Sequence, residues 1–268
     1  MKKFRIFELP RGEVPCFSYT IVQVAFLLSA LLFSGESYAQ LEELKAHYQE
    51  LEKKSKKQWV NLQFADETIL PQKDLKNLQQ IVLIRHGEPA LKKEGWRTRK
   101  KAMKFLQAYD AAEVYEPAVD PFLLRPGDVD TIFTSTLNRS ISTAAYLFDN
   151  DQASKSTPIF REFERKIFVF PNIILPLNWW LVSSRLLWFA GLNDNGIESF
   201  RDAKCRARVA VRLLEENAQR NGKTILVSHG LLNHFLSKFL KENGWTEVYD
   251  GGKGYLSQKM LVKLAPEE

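Results

Sequence analysis

Two short segments place a histidine directly after a run of apolar residues. "IVLIRHG" ends with Arg85, His86 and Gly87, and "TILVSHG" ends with His229 and Gly230. Because an apolar core disfavours arginine and histidine, these side chains are expected at the carboxyl ends of two buried strands, where functional groups of α/β sheets gather. The glycines are expected to allow a sharp turn and close approach of a ligand. The segments therefore predict two imidazoles at one sheet edge.

A third apolar run, "TIFTSTLNRSISTA", brings Arg139 to the start of a helix. Helix amino termini favour anions, and guanidinium groups form paired hydrogen bonds with phosphate oxygens. A neutral imidazole is a good nucleophile toward phosphorus. We therefore expect His86 to attack a phosphoryl group whose oxygens are held by Arg85, Arg139 and His229.

The elements that must position these residues alternate along the chain. Strands are predicted at 80–85, 129–136, 157–163, 223–230 and 255–264, and helices at 99–112, 138–149, 196–220 and 231–245. Alternating strands and helices predict an α/β layered fold with a largely parallel central sheet, here a three-layer α/β/α sandwich. No internal repeat is visible, which favours a single domain.

The first 39 residues are typical of a signal peptide. A basic start, "MKKFRIFELPR", precedes the apolar run 21–33, and Ser37 and Ala39 supply small residues for cleavage after Ala39. This predicts a periplasmic or secreted protein. The alternative is a membrane anchor, because the uncharged region extends from Val14 to Gly35. Cys205 would be the only thiol of the cleaved chain, so no intramolecular disulfide is expected.

Residues 40–77 are predicted to form an N-terminal helix and a linker. Leu41, Leu44, Tyr48 and Leu51 recur at spacings of three and four, which indicates an amphipathic helix that docks on the domain or acts as a spacer. The segment that follows, with Pro71, is typical of a loop. The functional domain is expected to span 78–268.

Composition excludes some classes of function. With 45% apolar and 26% charged residues, the chain of 268 residues is expected to fold. The net charge is +6, but basic residues lie among nearly as many acids, and no nucleic-acid-binding motif occurs. We therefore expect no nucleic-acid partner. No HxxxH or HExxH segment occurs, so neither a metal nor another cofactor is predicted.

Three motifs together resemble the histidine phosphatase superfamily, which includes the cofactor-dependent phosphoglycerate mutases. The resemblance covers residues 80–264 and rests on Arg85, His86, Gly87, Ser135, Leu137, Arg139, Thr143, Ala144 and His229. It implies a phosphoglycerate mutase-like fold of the mutase-like branch. It also implies a phosphohistidine at His86 and phosphate binding by Arg85, Arg139, Gly87 and Gly230, with His229 in a catalytic role.

The resemblance also bears on the general acid. Acid-phosphatase relatives carry an aspartate after the second histidine, where this chain has Gly230. The mutase-like branch carries a glutamate shortly after the third strand, and "PIFREFERK" offers Glu162 and Glu164. Glu162 is preferred because it occupies the glutamate position of the family's LxE segment.

An apolar, tryptophan-rich insertion at about 165–197 departs from the family pattern. One interpretation is a lid, with Trp179, Trp180, Trp188 and Arg185 contacting the organic part of the substrate. Another is a buried helix pair with the aromatic rings as core filler, and a third is membrane contact. Outside the insertion, further candidate substrate contacts are Glu88, Asn233 and His234.

The predicted function is phosphomonoester hydrolysis through phosphohistidine, outside the cytoplasm, on a small phosphorylated substrate that the sequence does not identify. Two alternatives stay open. A mutase would return the phosphoryl group to a substrate hydroxyl instead of to water. A binding protein of the same fold would hold a phosphorylated ligand without turnover. The sequence makes no prediction of oligomeric state.

Overall fold

The computed structural model of the protein describes residues 35–55, 60–66, 69, 77–118, 122–125, 127–148, 154–169 and 173–265. The chain divides into two compact units, residues 1–39 and residues 40–268. Most of the predicted signal peptide, residues 1–34, lies outside the described residues. No described helix is both long enough and apolar enough to span a bilayer.

A six-stranded mixed sheet forms the centre of the larger unit. Its strands are β1 (Leu78–Arg85), β3 (Ile132–Ser135), β4 (Ser154–Thr157), β6 (Lys223–Ser228), β7 (Thr246–Asp250) and β8 (Gln258–Leu264). Their order is β4-β3-β6-β1-β8-β7. The four strands β4, β3, β6 and β1 are mutually parallel, whereas β8 is antiparallel to both β1 and β7. The prediction of a largely parallel sheet is confirmed.

Six described helices and a two-stranded ribbon complete the fold. The helices are α1 (Gly35–Ser55), α2 (Arg99–Ala111), α3 (Asn138–Leu147), α4 (Leu177–Phe189), α5 (Phe200–Asn221) and α6 (Gly230–Glu242). The ribbon pairs β2 (Trp96–Thr98) with β5 (Ile174–Pro176), immediately before α4. Because β5 belongs to the insertion at about 165–197, the ribbon attaches the insertion to the segment before α2.

Apolar side chains alternate between the two faces of the sheet and build two cores. Val82 and Ile84 of β1 pack on one face together with Leu44 of α1 and Ala144 of α3. On the other face Ile81 and Leu83 pack with residues of α5 and α6, which are Ala203, Ala207, Ala210, Val211, Leu214, Ala218, Leu232, Leu236, Phe239 and Leu240. This two-residue period places helices on both sides of the sheet and gives the predicted three-layer sandwich.

The N-terminal segment contributes to the core. Leu44 and Tyr48 of α1 are buried, and the Tyr48 hydroxyl donates to the carbonyl oxygen of Gln63 at 2.9 Å. Gln80 of β1 exchanges two hydrogen bonds with the backbone of Ala65. The helix therefore docks on the domain, and part of the predicted linker belongs to its core.

Two predictions of secondary structure need correction. The strand predicted at 157–163 ends at Thr157, because Pro158 cannot donate to a ladder and opens a short 3₁₀ turn, Pro158–Phe160. Strand β7 at the sheet edge was not predicted, since its five residues contain three polar ones.

Candidate active site

His86 lies directly after β1, at the carboxyl end of the sheet, and is buried. Its Nδ1 lies 2.7 Å from the carbonyl oxygen of Gly87. A carbonyl oxygen can only accept, so Nδ1 carries the ring proton and donates it. In the neutral ring, Nε2 therefore keeps its lone pair, which is the electron pair that a nucleophilic imidazole requires.

The charge state of His86 follows from its surroundings. Burial, together with the positive charges of Arg139 and Arg85, lowers the pKa of His86 to about 3, although the hydrogen bond to Gly87 acts in the opposite direction. Both effects disfavour the imidazolium form. His86 is therefore a neutral imidazole at neutral pH.

His229 lies beside His86 at the end of the adjacent strand β6. The ring centroids are 5.2 Å apart. His229 is completely buried and is the residue that immediately precedes α6. Its Nε2 is 2.8 Å from the Ser135 hydroxyl, whereas Nδ1 has no hydrogen-bond partner among the described residues. Burial and the charge of Arg139 hold the pKa of His229 well below its usual value. The structure brings the two predicted imidazoles together.

Arg139 is buried at the first turn of α3. Its Nη1 donates to the carbonyl oxygen of Tyr109 at 3.0 Å and to Oδ1 of Asp110 at 3.2 Å, and its guanidinium carbon lies 4.7 Å from the centroid of the Tyr109 ring. The Nε of Arg139 has no partner among the described residues. Helix α2, which carries Tyr109 and Asp110, therefore orients this guanidinium and leaves part of it free for an anion.

Arg85 is the last residue of β1. It donates to the carbonyl oxygen of Lys253 and lies over the Tyr255 ring, with 4.6 Å between the guanidinium carbon and the ring centroid. A Cβ on Gly230 would lie 3.2 Å from the Arg85 Nε and 3.3 Å from its Cδ. A side chain at position 230 would therefore crowd Arg85.

The sharp turn predicted for both glycines is wrong, whereas their close approach to a ligand stays a prediction. Neither Gly87 nor Gly230 adopts a positive φ, so neither provides a turn closed to other residues. A Cβ on Gly87 would meet its neighbours at 3.4 Å or more, which is ordinary van der Waals contact.

Two buried hydroxyl groups fix these elements to one another. The Gly87 amide donates to the Thr143 hydroxyl at 2.8 Å, and that hydroxyl donates to the Arg139 carbonyl oxygen at 2.6 Å. Ser135, the partner of His229, also accepts from the Leu137 amide at 3.2 Å. The serine and threonine of the second motif therefore join the two histidine segments to α3.

A cavity of about 870 Å³ opens above these groups. The cationic side chains that line it belong to Arg85, Lys93, Arg139, Arg161, Arg165, Arg185, Lys253 and Lys259, against the four acids Asp110, Glu162, Glu164 and Asp250. Eight cations against four acids favour an anionic ligand. We call Arg85, His86, Arg139 and His229 the floor of the site. The first three line the cavity, and His229 packs against His86.

Five of the eight cations were not predicted from the sequence, namely Lys93, Arg161, Arg165, Lys253 and Lys259. Arg165 and Lys93 form no hydrogen bond or ion pair through their side chains within the described part of the chain. Burial lowers the pKa of Arg165. Burial, followed by the charges of Arg165 and Arg85, lowers the pKa of Lys93. Both lie outside the motifs, and only the density of basic residues around them could have drawn attention to them.

The two candidate acids differ in their surroundings. Glu162 lines the cavity, and its Oε1 accepts from the amide of Phe163 at 2.9 Å. The Oε2 of Glu164 accepts from the amide of Glu198 at 2.7 Å, which ties this carboxylate to the segment before α5. Glu162 is thus the less constrained of the two.

The insertion does not form the predicted tryptophan lid. Trp180 and Trp188 are buried, and their indole N–H groups donate to the carbonyl oxygens of Arg97 and Glu198. Trp179 is exposed and does not line the cavity, because it lies on the outer face of α4. The core-filler interpretation holds for two of the three rings, on one described helix instead of a helix pair.

Arg185 lines the cavity, but its hydrogen-bonding groups are largely occupied. Nη1 donates to the carbonyl oxygen of Glu164 at 2.9 Å and Nη2 to that of Phe163 at 2.8 Å. Burial and the charge of Arg165 lower the pKa of Arg185 to about 10. Arg185 thus supports the loop that carries both glutamates. We call α4 and residues 161–165 the wall of the site.

The other candidate contacts divide into two groups. Asn233 and His234 line the cavity, and the Asn233 Oδ1 is buried without a partner among the described residues. Glu88 is exposed and lies outside the lining, as a solvated loop carboxylate would. Its predicted contact with substrate is therefore not supported. Among the described residues, no group of three or more His, Cys, Asp or Glu side chains could hold a metal ion.

The fold and the cationic cavity define an α/β protein suited to binding an oxyanion. Residues 81–250 match the family model of the histidine phosphatase superfamily (branch 1), which is more than half of the chain. The chain therefore belongs to this superfamily, as its three motifs predicted, and is a phosphoric monoester hydrolase by class. No curated protein sequence matches it at a significant level.

Solved structures with a similar fold include three phosphatases. A mycobacterial glucosyl-3-phosphoglycerate phosphatase is 20% identical, with 69% of this chain and 90% of that chain covered and a TM-score of 0.40. A phosphoserine phosphatase mutant from Entamoeba histolytica is 14% identical, with 70% and 95% covered and a TM-score of 0.38. The α-ribazole phosphatase from Shigella flexneri is 18% identical, with 60% and 79% covered and a TM-score of 0.35. These likenesses identify no substrate for this chain.

Proposed function

We propose that this protein hydrolyses a phosphomonoester outside the cytoplasm through a phosphohistidine formed on His86. The observation that carries the proposal is a neutral His86 whose Nδ1 donates to a backbone carbonyl oxygen, with its ring centroid 5.2 Å from that of His229 and with two arginines beside it. Each of these features serves nucleophilic attack on phosphorus.

In the first step, the Nε2 lone pair of His86 attacks phosphorus and the bond from phosphorus to the ester oxygen breaks. Negative charge spreads over the three non-bridging oxygens in the transition state. Arg85 and Arg139 are fixed in place to receive it, by the Lys253 carbonyl and by the Tyr109 carbonyl with Asp110, respectively. Donors fixed before reaction need no reorganisation, which is the main source of their effect on rate.

His229 is assigned to the same oxygens. If the Ser135 hydroxyl donates to Nε2, the neutral ring carries its proton on Nδ1, the nitrogen that has no partner among the described residues. Such an N–H would donate to a phosphoryl oxygen.

The leaving alkoxide takes its proton from Glu162. Both glutamates line the cavity, but Glu162 is the preferred general acid because only Glu164 is tied to the segment before α5. In the second step, Glu162 removes a proton from water, the hydroxide attacks phosphorus, and the bond from Nε2 to phosphorus breaks. Inorganic phosphate leaves and both residues return to their starting state.

The cavity also favours a particular class of substrate. Lys93 and Arg165 form no ion pair with any described residue, and the cavity is far larger than one phosphate requires. Unpaired charges in a confined space are costly, and a second anionic group on the substrate would offset that cost. We therefore include in the proposal that the organic part of the substrate carries a carboxylate or a further phosphate.

Turnover of p-nitrophenyl phosphate tests the reaction. We expect wild type to be active and His86→Ala to be inactive, and activity that survives this substitution would remove the mechanism. A matched pair tests the substrate class, since 3-phosphoglycerate and glycerol 3-phosphate differ only in a carboxylate against a hydroxymethyl group. The carboxylate should raise kcat/KM, and Arg165→Gln should abolish that preference without affecting glycerol 3-phosphate.

Two alternative outcomes are informative. Conversion of 3-phosphoglycerate to 2-phosphoglycerate without release of phosphate would indicate a mutase. Tight binding of vanadate without turnover of any ester would indicate a binding protein. The expected location follows from residues 1–39 alone, and the amino-terminal sequence of the mature protein tests it, with cleavage expected after Ala39.

A further inference from the structure

The outer face of α4 is apolar and uncovered. The inner face buries Leu177, Trp180, Leu181, Ser184, Arg185 and Trp188. At spacings of three and four residues the opposite face exposes Trp179 at 65%, Val182 at 57% and Leu186 at 61%. The only charged residue of the helix, Arg185, is on the buried side. Large apolar side chains grouped on the exposed side of a helix are unusual at a solvated surface, so this face is suited to a partner.

The ribbon next to α4 extends this apolar surface. Trp96 of β2 is 69% exposed and pairs with Pro176, the residue that immediately precedes α4. Ile174 of β5 is also largely exposed. Single exposed apolar side chains are normal, but a contiguous group of large ones marks an interaction surface. We call Trp96, Ile174, Trp179, Val182 and Leu186 the apolar face.

A concentrated positive charge adjoins the apolar face. Residues 91–105 hold seven lysines and arginines and one glutamate, a net charge of 7 − 1 = +6, which equals the formal net charge of the whole chain. The cations are Lys92, Lys93, Arg97, Arg99, Lys100, Lys101 and Lys104, and none of them forms an ion pair within the described part of the chain. We call residues 91–105 the basic segment.

Hydrogen bonds hold the basic segment against α4. The Leu177 amide donates to the carbonyl oxygen of Gly95 at 2.9 Å, and the Trp180 indole donates to that of Arg97 at 2.8 Å. Phe105 of the segment packs in the same buried cluster as the inner face of α4. Apolar side chains and unpaired cations are therefore presented by one rigid part of the protein.

We propose that the apolar face and the basic segment dock on an anionic lipid bilayer. Tryptophan and aliphatic side chains enter the boundary between headgroups and acyl chains, and the lysines and arginines meet lipid phosphates. A second copy of the chain fits less well, because a two-fold contact would bring two basic segments with equal charge together. Lys93 and Leu181 line the cavity, so docking would place its entrance beside the headgroup layer.

Vesicle sedimentation of the full chain tests the proposal, with phosphatidylcholine vesicles that contain or lack phosphatidylglycerol. W179S/V182S/L186S should lower the partition coefficient about a hundredfold, because the inserted apolar area is lost. K100Q/K101Q/K104Q should lower it at least about tenfold on anionic vesicles only, with the difference lost at high salt. The control V209S removes an equally exposed apolar side chain of α5 and should bind like wild type.

A second readout locates the contact. Brominated lipids should quench part of the tryptophan fluorescence of wild type, and W96F/W179F, which replaces both tryptophans of the apolar face, should remove most of the quenched part. Trp245→Phe, which replaces a buried ring, should not. None of the substituted side chains lines the cavity, so turnover of p-nitrophenyl phosphate without vesicles should match wild type in every variant.

Equal partitioning of wild type and W179S/V182S/L186S would overturn the proposal, because an amino-terminal segment would then account for all binding. A dimer that forms without lipid and is broken by the same triple substitution would also overturn it. If the triple variant does not fold, Trp179→Ser and Leu186→Ser carry the same test singly, each with an expected loss of roughly tenfold.

Discussion

The floor and the wall of the cavity differ in how their side chains are held. The floor residues follow two neighbouring strands and the first turn of α3, and buried hydroxyl groups of Ser135 and Thr143 tie them together. The wall consists of one largely apolar helix and a loop. Arg185 of the helix donates hydrogen bonds to backbone carbonyl oxygens of the loop. Rigid groups at the floor suit chemistry that every substrate undergoes. Arg165 of the wall and the nearby Lys93 form no ion pair with any described residue, so this side of the cavity suits the choice of substrate.

The largest expected effect concerns acid sensitivity, which should arise at the floor. The pKa of His86 is lowered from its ordinary value of 6.5, which applies to the unfolded chain, to about 3 in the folded protein. Its contribution to stability is therefore complete above pH 6.5. The contribution is lost as the pH falls from 6.5 toward 3, because the unfolded chain then binds a proton that the folded protein does not. Between about pH 7 and about pH 5 the free energy of unfolding should fall by about 2 kcal/mol from His86 alone, and the loss should reach about 4 kcal/mol near pH 3.

Urea unfolding of wild type and His86→Asn at several pH values measures this effect. The variant lacks the titrating ring, so its stability should depend less on pH over the same window. His229, whose pKa is also lowered, should add a loss of the same sign in both proteins. Parallel curves for the two proteins would show that His86 is not buried as a neutral ring.

The next largest expected effect is a difference in stability between substitutions on the buried face of α4 and substitutions on its exposed face. Trp188→Ala should cost about 3–5 kcal/mol of unfolding free energy, because a completely buried ring is removed from the core. Trp179→Ala should cost less than about 0.5 kcal/mol, since its ring is exposed. Thermal or urea unfolding compares the two, and similar losses would mean that both faces of α4 are covered in the folded protein.

A smaller effect tests whether the floor alone governs the chemical step. Arg139→Lys keeps the charge but loses the paired donors, and should raise the barrier for p-nitrophenyl phosphate by about 3 kcal/mol, roughly a hundredfold in kcat/KM. Arg165→Gln should change the same constant by less than about threefold, because this ester has no second anionic group. Equal losses in both variants would erase the distinction between floor and wall.

The smallest expected effect concerns the hydrogen bond from the Gly87 amide to the Thr143 hydroxyl, which holds the first histidine segment against α3. Thr143→Val preserves shape but leaves the Gly87 amide without its acceptor, which should cost about 1–2 kcal/mol of stability. Turnover should fall several-fold, with Thr143→Ser restoring most of it because serine retains the hydroxyl. A valine variant that matches wild type in unfolding and in kinetics would exclude Thr143 as a positioning residue.

Sequence reasoning was most successful at the floor. His86 and His229 follow apolar runs, and parallel neighbouring strands must end at the same edge, so their proximity follows from topology. Arg139 was placed correctly by its position at the start of a helix. The same reasoning gave the alternating elements and the largely parallel sheet, but not β7 or the β2–β5 ribbon, whose strands are too short to show a period.

The wall could not be predicted in the same way. Helix α4 is apolar on both faces, so its sequence does not show that Trp180 and Trp188 point inward and Trp179 outward. Lys93 and Arg165 belong to no motif, and their meeting in one cavity depends on how the ribbon and the loop at 161–165 fold. Glu88 directly follows the first histidine motif, yet its side chain is exposed to solvent and does not line the cavity.

The identity of the phosphorylated atom tests the proposed phosphohistidine mechanism most directly. After rapid mixing with labelled p-nitrophenyl phosphate and a quench in base, where phosphohistidine survives, peptide mapping and phosphorus NMR can locate the label. We expect one phosphorylated residue, His86. The phosphoryl group should be on Nε2, because Nδ1 is hydrogen-bonded to the Gly87 carbonyl oxygen. Label on His229, or on Nδ1 of His86, or release of phosphate with no labelled protein at any time, would contradict the mechanism.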